Sequence, residues 1–200
     1  PYTLVNFVTS ADGRTTSDGK SGALGDDGDH AVFHGLRESV DAVLAGTVTM
    51  GTEHYGRIMG KAERRERRRA QGRSAEPLAC LFTRSGHVPT EIPLFHEPEA
   101  RIVIFSAAHV DLGSPAAQIE VVRLDPAALT LTSALKRLRA DFGVRTLLCE
   151  GGPTLFGALL AEGVVDELFL TLVPKLVGGG HGPTVTSGPA LAELRPLALE

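Results

Sequence analysis

The sequence predicts a three-layer α/β fold, in which helices cover both faces of a mainly parallel β-sheet. Short apolar runs alternate with amphipathic stretches along the chain, and several of the runs are apolar at nearly every position. A strand that is apolar on both faces is typical of a parallel sheet buried between two layers of helices. The β-α-β alternation favours the same architecture.

Seven runs are predicted to be the strands of this sheet. They are, in chain order, Tyr2–Val8, Asp41–Gly46, Leu78–Thr83, Arg101–Ser106, Ile119–Leu124, Arg145–Glu150 and Glu167–Val173. The chain contains no internal repeat and no linker-like stretch, so residues 1–200 are expected to form a single domain. Its last residues, from Leu194 to Glu200, resemble the beginning of a further strand, and both ends are therefore expected to be trimmed.

Two amphipathic patterns predict helices between the strands. The residues that share a helical face are Phe33, Leu36 and Val40 in the first pattern, and Leu131, Leu135, Leu138 and Phe142 in the second. Thr130 or Thr132 would cap the start of the second helix, and Gly143 would end it.

A strongly basic stretch follows the second predicted strand. Lys61–Arg73 holds seven basic residues against two acidic ones. A solvated helix with internal ion pairs, such as Glu63 with Arg67, is the favoured interpretation. The alternative is a phosphate or nucleic-acid patch, but the stretch contains no aromatic residue on which bases could stack.

The composition suits a globular protein without a strongly charged partner. The chain is 42% hydrophobic and has a formal net charge of −4, which does not indicate a nucleic-acid or membrane partner. No apolar run approaches the ~20 residues of a membrane span, and no signal peptide opens the sequence. Cys80 and Cys149 lie in apolar runs. Reduced thiols in a cytoplasmic protein are the favoured interpretation, and a disulfide is left open.

The turn after the sixth strand is the first candidate site. Glu150 ends an apolar run, Gly151 and Gly152 follow, and Pro153 opens a predicted helix. A helix start offers unpaired N–H groups to a phosphate, and glycines let the phosphate approach closely. Ligands of open α/β sheets bind beyond the carboxyl ends of the strands. Taken alone, an ordinary β-α turn is the better interpretation, because neither the Walker nor the Rossmann spacing is present.

Three motifs together resemble the reductase domain of riboflavin biosynthesis. They are "SADGR" at residues 10–14, "LRESVDAVLAG" at 36–46 and "EGGPTL" at 150–155. This dihydrofolate-reductase-like family forms the C-terminal half of bifunctional deaminase-reductases, and the resemblance covers nearly the whole chain. It implies a dihydrofolate-reductase-like, mainly parallel mixed sheet, NADPH as cofactor and a homodimer. The deaminase zinc motif is absent from the sequence, so a stand-alone reductase is expected.

The resemblance also implies roles for individual residues. Ser21 and Arg37 fall where the family contacts its phosphorylated pyrimidine, and Glu150 falls where a carboxylate meets that substrate. The positions that match cofactor contacts are Val8, Ala23, Thr49, Glu53, Gly151, Gly152, Pro153, Thr154, Leu155, Phe156, Gly157 and Ala158. Singly, Ser21 suits a turn and Arg37 suits a surface arginine paired with Glu38 or Asp41, but their joint register favours function.

Three positions depart from the family pattern. Asn6 stands where many bifunctional members have lysine, although single-domain relatives can carry asparagine. Ala23 stands where tryptophan is frequent. The stretch at residues 51–58, "GTEHYGRI", replaces the usual D-D-P-x-L. Arg57 is the candidate there for the substrate phosphate, and the choice of pyrimidine stays open.

A second cofactor contact is predicted after the third strand. Thr83, Arg84 and Ser85 lie where dihydrofolate-reductase-like folds meet the 2′-phosphate of NADPH. An arginine beside hydroxyl groups can form charge-assisted hydrogen bonds to a phosphate. A plain turn ending in Gly86 is the alternative. The seven histidines lack metal-ligand spacing, so no metal is predicted.

The expected activity is NADPH-dependent reduction of a ribosylaminopyrimidine 5′-phosphate to its ribitylamino product. The proton donor would be Glu150 or solvent, which the sequence does not distinguish. The first alternative is a reductase of another substrate, such as dihydrofolate or a specialised metabolite. The second is a non-catalytic nucleotide- or RNA-binding module that uses Arg64–Arg73. The expected partner is a small molecule rather than nucleic acid or a membrane.

Overall fold

One sheet of seven strands organises the molecule, and all seven predicted strands are present in it. The computed structural model describes residues 1–199. The strands are β1 Tyr2–Ser10, β2 Ala42–Gly46, β3 Leu78–Thr83, β4 Arg101–Ser106, β5 Gln118–Arg123, β6 Thr146–Cys149 and β7 Glu167–Val173. Their order is β5-β4-β3-β2-β6-β1-β7, and every pairing is parallel. The α/β class is confirmed, and no antiparallel strand makes the sheet mixed within the described residues.

Helices pack on both faces of the sheet, which confirms the three layers. The helices are α1 Asp27–Ser39, α2 Thr47–Thr52, α3 Ala62–Ala70, α4 Leu131–Asp141 and α5 Pro153–Ala161. The strands alternate their side chains between two apolar clusters, one shared with α1 and α2 and the other with α4 and α5. This alternation explains why the strands are apolar at consecutive positions.

Helix α4 begins and ends where the sequence predicts. Thr130 is the capping residue, since its Oγ1 accepts a hydrogen bond of 3.0 Å from the N–H of Ser133. The helix ends before Gly143, whose φ of 68° is in the left-handed region that favours glycine. The start of α4 is further closed by the Glu162 carboxylate, which accepts from the N–H groups of Leu131 and Thr132.

The basic stretch forms a helix as predicted, but the solvated-helix interpretation is wrong for part of it. The side chain of Arg68 is buried, with 1% of the residue exposed. Arg67 pairs with Glu38 of helix α1 rather than with Glu63, and Arg64 pairs with the same acid. Helix α3 is therefore fastened to α1 by its arginines.

The chain after β7 crosses the molecule without regular structure. Residues 174–199 contain no helix or strand, so the strand predicted at Leu194 is wrong as far as Leu199, and Glu200 lies outside the described residues. Asp12 anchors the segment by accepting from the N–H groups of Val177 and Gly178 at 3.1 and 2.7 Å. Of the helices within residues 1–199, none has the length and apolar character needed to cross a membrane.

Candidate functional site

A cleft of about 460 Å³ lies at the carboxyl ends of the central strands β2, β6 and β1. Its volume is within the range of small-molecule sites, which is about 300–1,000 Å³. The predicted site residues that line it are Val8, Ser21, Arg37, Thr49, Glu53, Arg57, Glu150, Gly152 and Pro153. Adjacent parallel strands end at one edge of a sheet, which is why positions far apart in the sequence meet here.

Arg37 and Glu150 form the most buried ion pair of the cleft. The Arg37 Nε and Nη2 atoms donate to the two Glu150 carboxylate oxygens at 2.5 and 2.7 Å. The two side chains are 11% and 2% exposed. Helix α1 supplies the arginine from its last turn, and β6 presents the acid just after its end. The pairing of Arg37 with Glu38 or Asp41, which the alternative required, is not observed.

The surroundings of Arg37 keep it charged. Burial alone lowers the pKa of its guanidinium, but the adjacent Glu150 carboxylate outweighs this effect and raises the pKa above its ordinary value. The Phe33 ring lies 4.2 Å from the guanidinium carbon and the Tyr55 ring 5.4 Å from it. Arg37 is therefore a fixed cation with an aromatic lining.

Tyr55 completes the environment of Glu150. Its hydroxyl donates to the carboxylate oxygen Oε2 at 2.7 Å. Both oxygens of Glu150 are thus engaged by protein donors, which differs from the expectation of free acceptors facing a ligand. All three hydrogen bonds reach Glu150 from donors, so the geometry gives it the role of an acceptor and does not support it as the proton donor.

Ser21 and Glu53 also line the cleft and bind each other. The Glu53 Oε1 atom accepts from the Ser21 N–H at 3.0 Å and from its hydroxyl at 2.9 Å. Glu53 follows helix α2, and Ser21 lies in the loop between β1 and α1. Ser21, which is predicted to bind the substrate, and Glu53, which is predicted to bind the cofactor, are therefore hydrogen-bonded to each other.

The structure does not support Arg57 as the phosphate ligand. Three carboxylates surround its guanidinium: Glu97 at 3.1 Å, Glu99 at 2.9 Å and Glu76 at 3.8 Å. This group of four side chains has an excess of negative charge, which would repel a phosphate. Arg57 lines the cleft, but its donors face these acids.

In the glycine turn, Gly152 lines the cleft, whereas Gly151 is buried and does not. Gly151 has φ of 99°, which favours glycine, and a Cβ there would lie 3.2 Å from the Phe7 ring. A Cβ at Gly152 would lie 2.8 Å from the Thr49 hydroxyl oxygen. Helix α5 then begins at Pro153 without a side-chain cap. Its first N–H groups keep the partial positive charge that a pyrophosphate would need, whereas those of α4 are closed by Glu162.

The rest of the predicted cofactor run lies outside the cleft. Phe156 is a core residue, 2% exposed, and its ring centroid lies 5.4 Å from that of Phe7. Leu155 and Ala158 pack against the same apolar cluster. Thr154 and Gly157 face Ser187, and a Cβ at Gly157 would come within 2.1 Å of the Ser187 carbonyl oxygen. These five positions are not among the residues that line the cleft, so their contacts with the cofactor stay a prediction.

The residues after β3 form a hydrogen-bonded turn away from the cleft lining. The Thr83 Oγ1 accepts from the N–H of Gly86 at 3.2 Å, and the Ser85 Oγ accepts from that of His87 at 3.2 Å. Arg84 is exposed and forms no ion pair within residues 1–199. The hydroxyls of Thr83 and Ser85 are used within the turn, as the plain-turn alternative predicts. The exposed Arg84 guanidinium still has donors that could bind a phosphate.

Ala23 is exposed beside the cleft and contributes a backbone contact. Its carbonyl oxygen accepts from the Lys175 amine at 3.1 Å, as does that of Leu24 at 2.7 Å. The Ala23 methyl group offers little surface on which a ligand ring could stack, so the stacking that a tryptophan at this position would provide is lost.

Comparison with known proteins identifies the family. Residues 1–200 match the family model described as the RibD C-terminal domain. The chain belongs to the RibD C-terminal domain family. A 2,5-diamino-6-ribosylamino-4(3H)-pyrimidinone 5′-phosphate reductase of Archaeoglobus fulgidus is 28% identical over 191 residues, covering 94% of this chain and 87% of that protein.

Two crystal structures share the fold of this RibD C-terminal domain. A pyrimidine reductase-like protein of Corynebacterium diphtheriae superposes with a TM-score of 0.75 at 24% identity, covering 94% of this chain and 80% of that one. A deaminase/5-amino-6-(5-phosphoribosylamino)uracil reductase of Thermotoga maritima superposes with a TM-score of 0.72 at 20% identity, covering 98% and 51%. The likeness confirms the dihydrofolate-reductase-like expectation for the fold.

Sequence reasoning missed several residues of this RibD C-terminal domain that line the cleft, among them Tyr55, Phe33 and Asn6. Tyr55 lies within the stretch noted only as a departure from the family pattern, and Phe33 fits the helical face that predicted a core position. Asn6 also lines the cleft, and its buried Oδ1 has no hydrogen-bond partner among residues 1–199. Asn6 and Tyr55 both lie at positions where the sequence departs from the family pattern, and this departure could have indicated them as site residues.

Proposed function

We propose that this protein is an NADPH-dependent reductase that converts a ribosylaminopyrimidine 5′-phosphate to the ribitylaminopyrimidine 5′-phosphate in riboflavin biosynthesis. The family match over the whole chain carries this proposal. The name of the Archaeoglobus relative supplies the substrate class. The cleft agrees with it, since the fixed Arg37 cation and the start of helix α5 both border it, and both suit phosphorylated ligands.

The residues of the cleft suit a nicotinamide cofactor next to the substrate. Gly152, Pro153 and Thr49 would hold it, because the start of α5 is uncapped and the Thr49 hydroxyl lies against the backbone of Gly152. The chemistry that this cofactor supplies when bound is a hydride for C1′ of the ring-opened sugar. The protein itself binds, orients and excludes water. Arg37 presents N–H groups to a substrate oxygen, and solvent rather than Glu150 supplies the proton.

The preference for NADPH over NADH is part of the proposal and concerns Arg84. The exposed guanidinium can meet an additional phosphate, which should contribute about 1.5–3 kcal/mol through charged hydrogen bonds. Titration of both cofactors against the wild type and Arg84→Ala tests it. Equal affinities in the wild type would contradict the preference, and an unchanged ratio in the variant would place the contact elsewhere.

A reductase of another substrate, such as dihydrofolate, is the second candidate because it would use the same cofactor residues. A screen of NADPH oxidation against the diamino and oxo forms of the pyrimidine phosphate and against dihydrofolate separates the two. We expect turnover with one pyrimidine form and none with dihydrofolate. The RNA-binding alternative loses support, because Arg64, Arg67 and Arg68 are engaged within the protein.

We also propose a cytoplasmic homodimer. The exposed side chains of Leu170 and Leu172, 47% and 67% exposed, lie on the edge strand β7 and suit a second copy of the chain. Cys80 and Cys149 are free and buried, as suits a reducing compartment. Light scattering on the purified protein tests the dimer, and a monomeric mass would contradict it.

A further inference from the structure

Tyr55 lies at a point of the chain that is fixed on both sides. Its N–H donates to the Met50 carbonyl at 3.0 Å, and its carbonyl accepts from the Leu94 N–H at 2.9 Å. The preceding residue, His54, has φ of 48°, which is uncommon for a residue other than glycine. A costly conformation held by surrounding contacts is a feature that functional sites often show.

The Tyr55 hydroxyl is the third protein donor on the Glu150 carboxylate. The carboxylate already accepts two bonds from Arg37, and Tyr55 adds a third on Oε2. The acid is 2% exposed and thus has little surface to offer a ligand. Of Arg37, Tyr55 and Glu150, it is therefore the Arg37 guanidinium that can offer donors to a ligand in the cleft.

Arg37 retains donors after these contacts. A guanidinium has five N–H groups. Two donate to Glu150, and a third donates to the Ile58 carbonyl at 3.0 Å. The remaining donors belong to a side chain that lines the cleft and also interacts with the Tyr55 hydroxyl. The Glu150 carboxylate that faces these donors is held by Arg37 and Tyr55 together.

We propose that Tyr55 is a positioning residue, which holds Glu150 against Arg37 so that Arg37, and not Glu150, meets an oxygen of the substrate. This rests on the proposed reduction of a pyrimidine phosphate. Tyr55 belongs to the same short segment as Glu53 and Thr49, which line the other part of the cleft. This segment therefore carries both residues predicted to contact the cofactor and the hydroxyl that binds Glu150.

The substitution Tyr55→Phe removes this hydroxyl and keeps the ring. We expect kcat/KM for the ribosylaminopyrimidine phosphate to fall about tenfold to a hundredfold, chiefly through KM, as for loss of a hydrogen bond to a charged group. The NADPH Kd should not change. The matched control is Tyr2→Phe, since Tyr2 is the other tyrosine of the chain and its hydroxyl also faces a glutamate, on the surface. The control should have wild-type kinetics.

A double-variant cycle separates positioning from mere packing. If Tyr55 acts through Glu150, adding Tyr55→Phe to Glu150→Gln should cause no further loss. Additive losses, or wild-type kinetics in Tyr55→Phe, would overturn the proposal.

A spectroscopic measurement covers the case in which Tyr55→Phe does not fold or the wild type does not reduce this substrate. Inactivity of the wild type would contradict the proposed function, but it leaves Tyr55 testable. The chain has no tryptophan and two tyrosines, so in Tyr2→Phe the near-ultraviolet spectrum reports on Tyr55. Burial and the Glu150 charge raise the pKa of Tyr55 well above 10. Ionisation near pH 10 in the folded protein would show that the contact is absent and overturn the proposal.

Discussion

Arg37 and Arg68 are both buried beside the end of helix α1, yet their partners differ. Arg37 faces the Glu150 carboxylate, two aromatic rings and the cleft. Arg68 donates to backbone carbonyls only, those of Arg37, Glu38, Val40 and Ser74. A buried cation alone therefore does not indicate a functional site. The chemical nature of its partners and its access to a cleft do.

The pKa values of the two arginines express the same difference. Burial lowers the pKa of both guanidinium groups. The full negative charge of Glu150 more than offsets this at Arg37, so its pKa rises above the ordinary value. The carbonyl groups around Arg68 do not offset the effect of burial, so the pKa of Arg68 lies below its ordinary value. Arg68 thus holds the C-terminal end of the helix from which Arg37 reaches the cleft.

The largest effect is expected for Arg37→Met. This change leaves Glu150 buried without its counter-charge, which should lower the free energy of unfolding by about 3–5 kcal/mol and abolish measurable substrate reduction. Denaturant unfolding and NADPH oxidation provide the two readouts. The double variant Arg37→Met with Glu150→Leu should recover stability without recovering activity. Substrate reduction by that folded double variant would show that Arg37, like Arg68, is only structural.

Arg68→Met should affect stability rather than chemistry. Loss of its donors leaves several buried carbonyl groups unsatisfied, and we expect the free energy of unfolding to fall by about 1–3 kcal/mol. Below the unfolding transition, kcat/KM should stay within about twofold of the wild type. A loss of activity as large as that of Arg37→Met, measured in folded protein, would show that Arg68 also serves the site.

A smaller effect should separate two residues of strand β1, Asn6 and Thr3. Asn6 and Thr3 each have a buried side-chain oxygen without a partner among residues 1–199, but only Asn6 lines the main cleft. Asn6→Leu and Thr3→Val should each leave stability equal or raise it by up to about 1 kcal/mol, because an unsatisfied polar group is removed. Only Asn6→Leu should lower kcat/KM. If the two variants had equal kcat/KM, Asn6 would not contribute to the reaction.

The strands and the turn could be predicted from the sequence because their signals are local. Apolar runs give the strands, Thr130 and Gly143 bound α4, and Glu150 followed by glycines indicates the turn at the edge of the sheet. The motif resemblance led to Arg37, although it did not show that Glu150 is its partner.

The contacts that define the site join distant positions. Arg37 and Glu150 are 113 residues apart, and Tyr55 and Glu150 are 95 apart. Arg68 is one of three consecutive arginines, and no local pattern indicates that it alone is enclosed. Which side chain fills a given space is decided by packing between elements.

The most direct test of the cleft as a reductase site is Glu150→Gln, studied by single-turnover reduction and by NADPH titration. Glutamine keeps the shape but loses the charge, and it turns an amide N–H toward the donors of Arg37. We predict that kcat/KM for the ribosylaminopyrimidine phosphate falls about tenfold to a hundredfold. The NADPH Kd should stay at the wild-type value, because Gly152 and the start of α5 are untouched. Reduction at the wild-type rate by Glu150→Gln would contradict the assignment of the Arg37–Glu150 pair to the substrate.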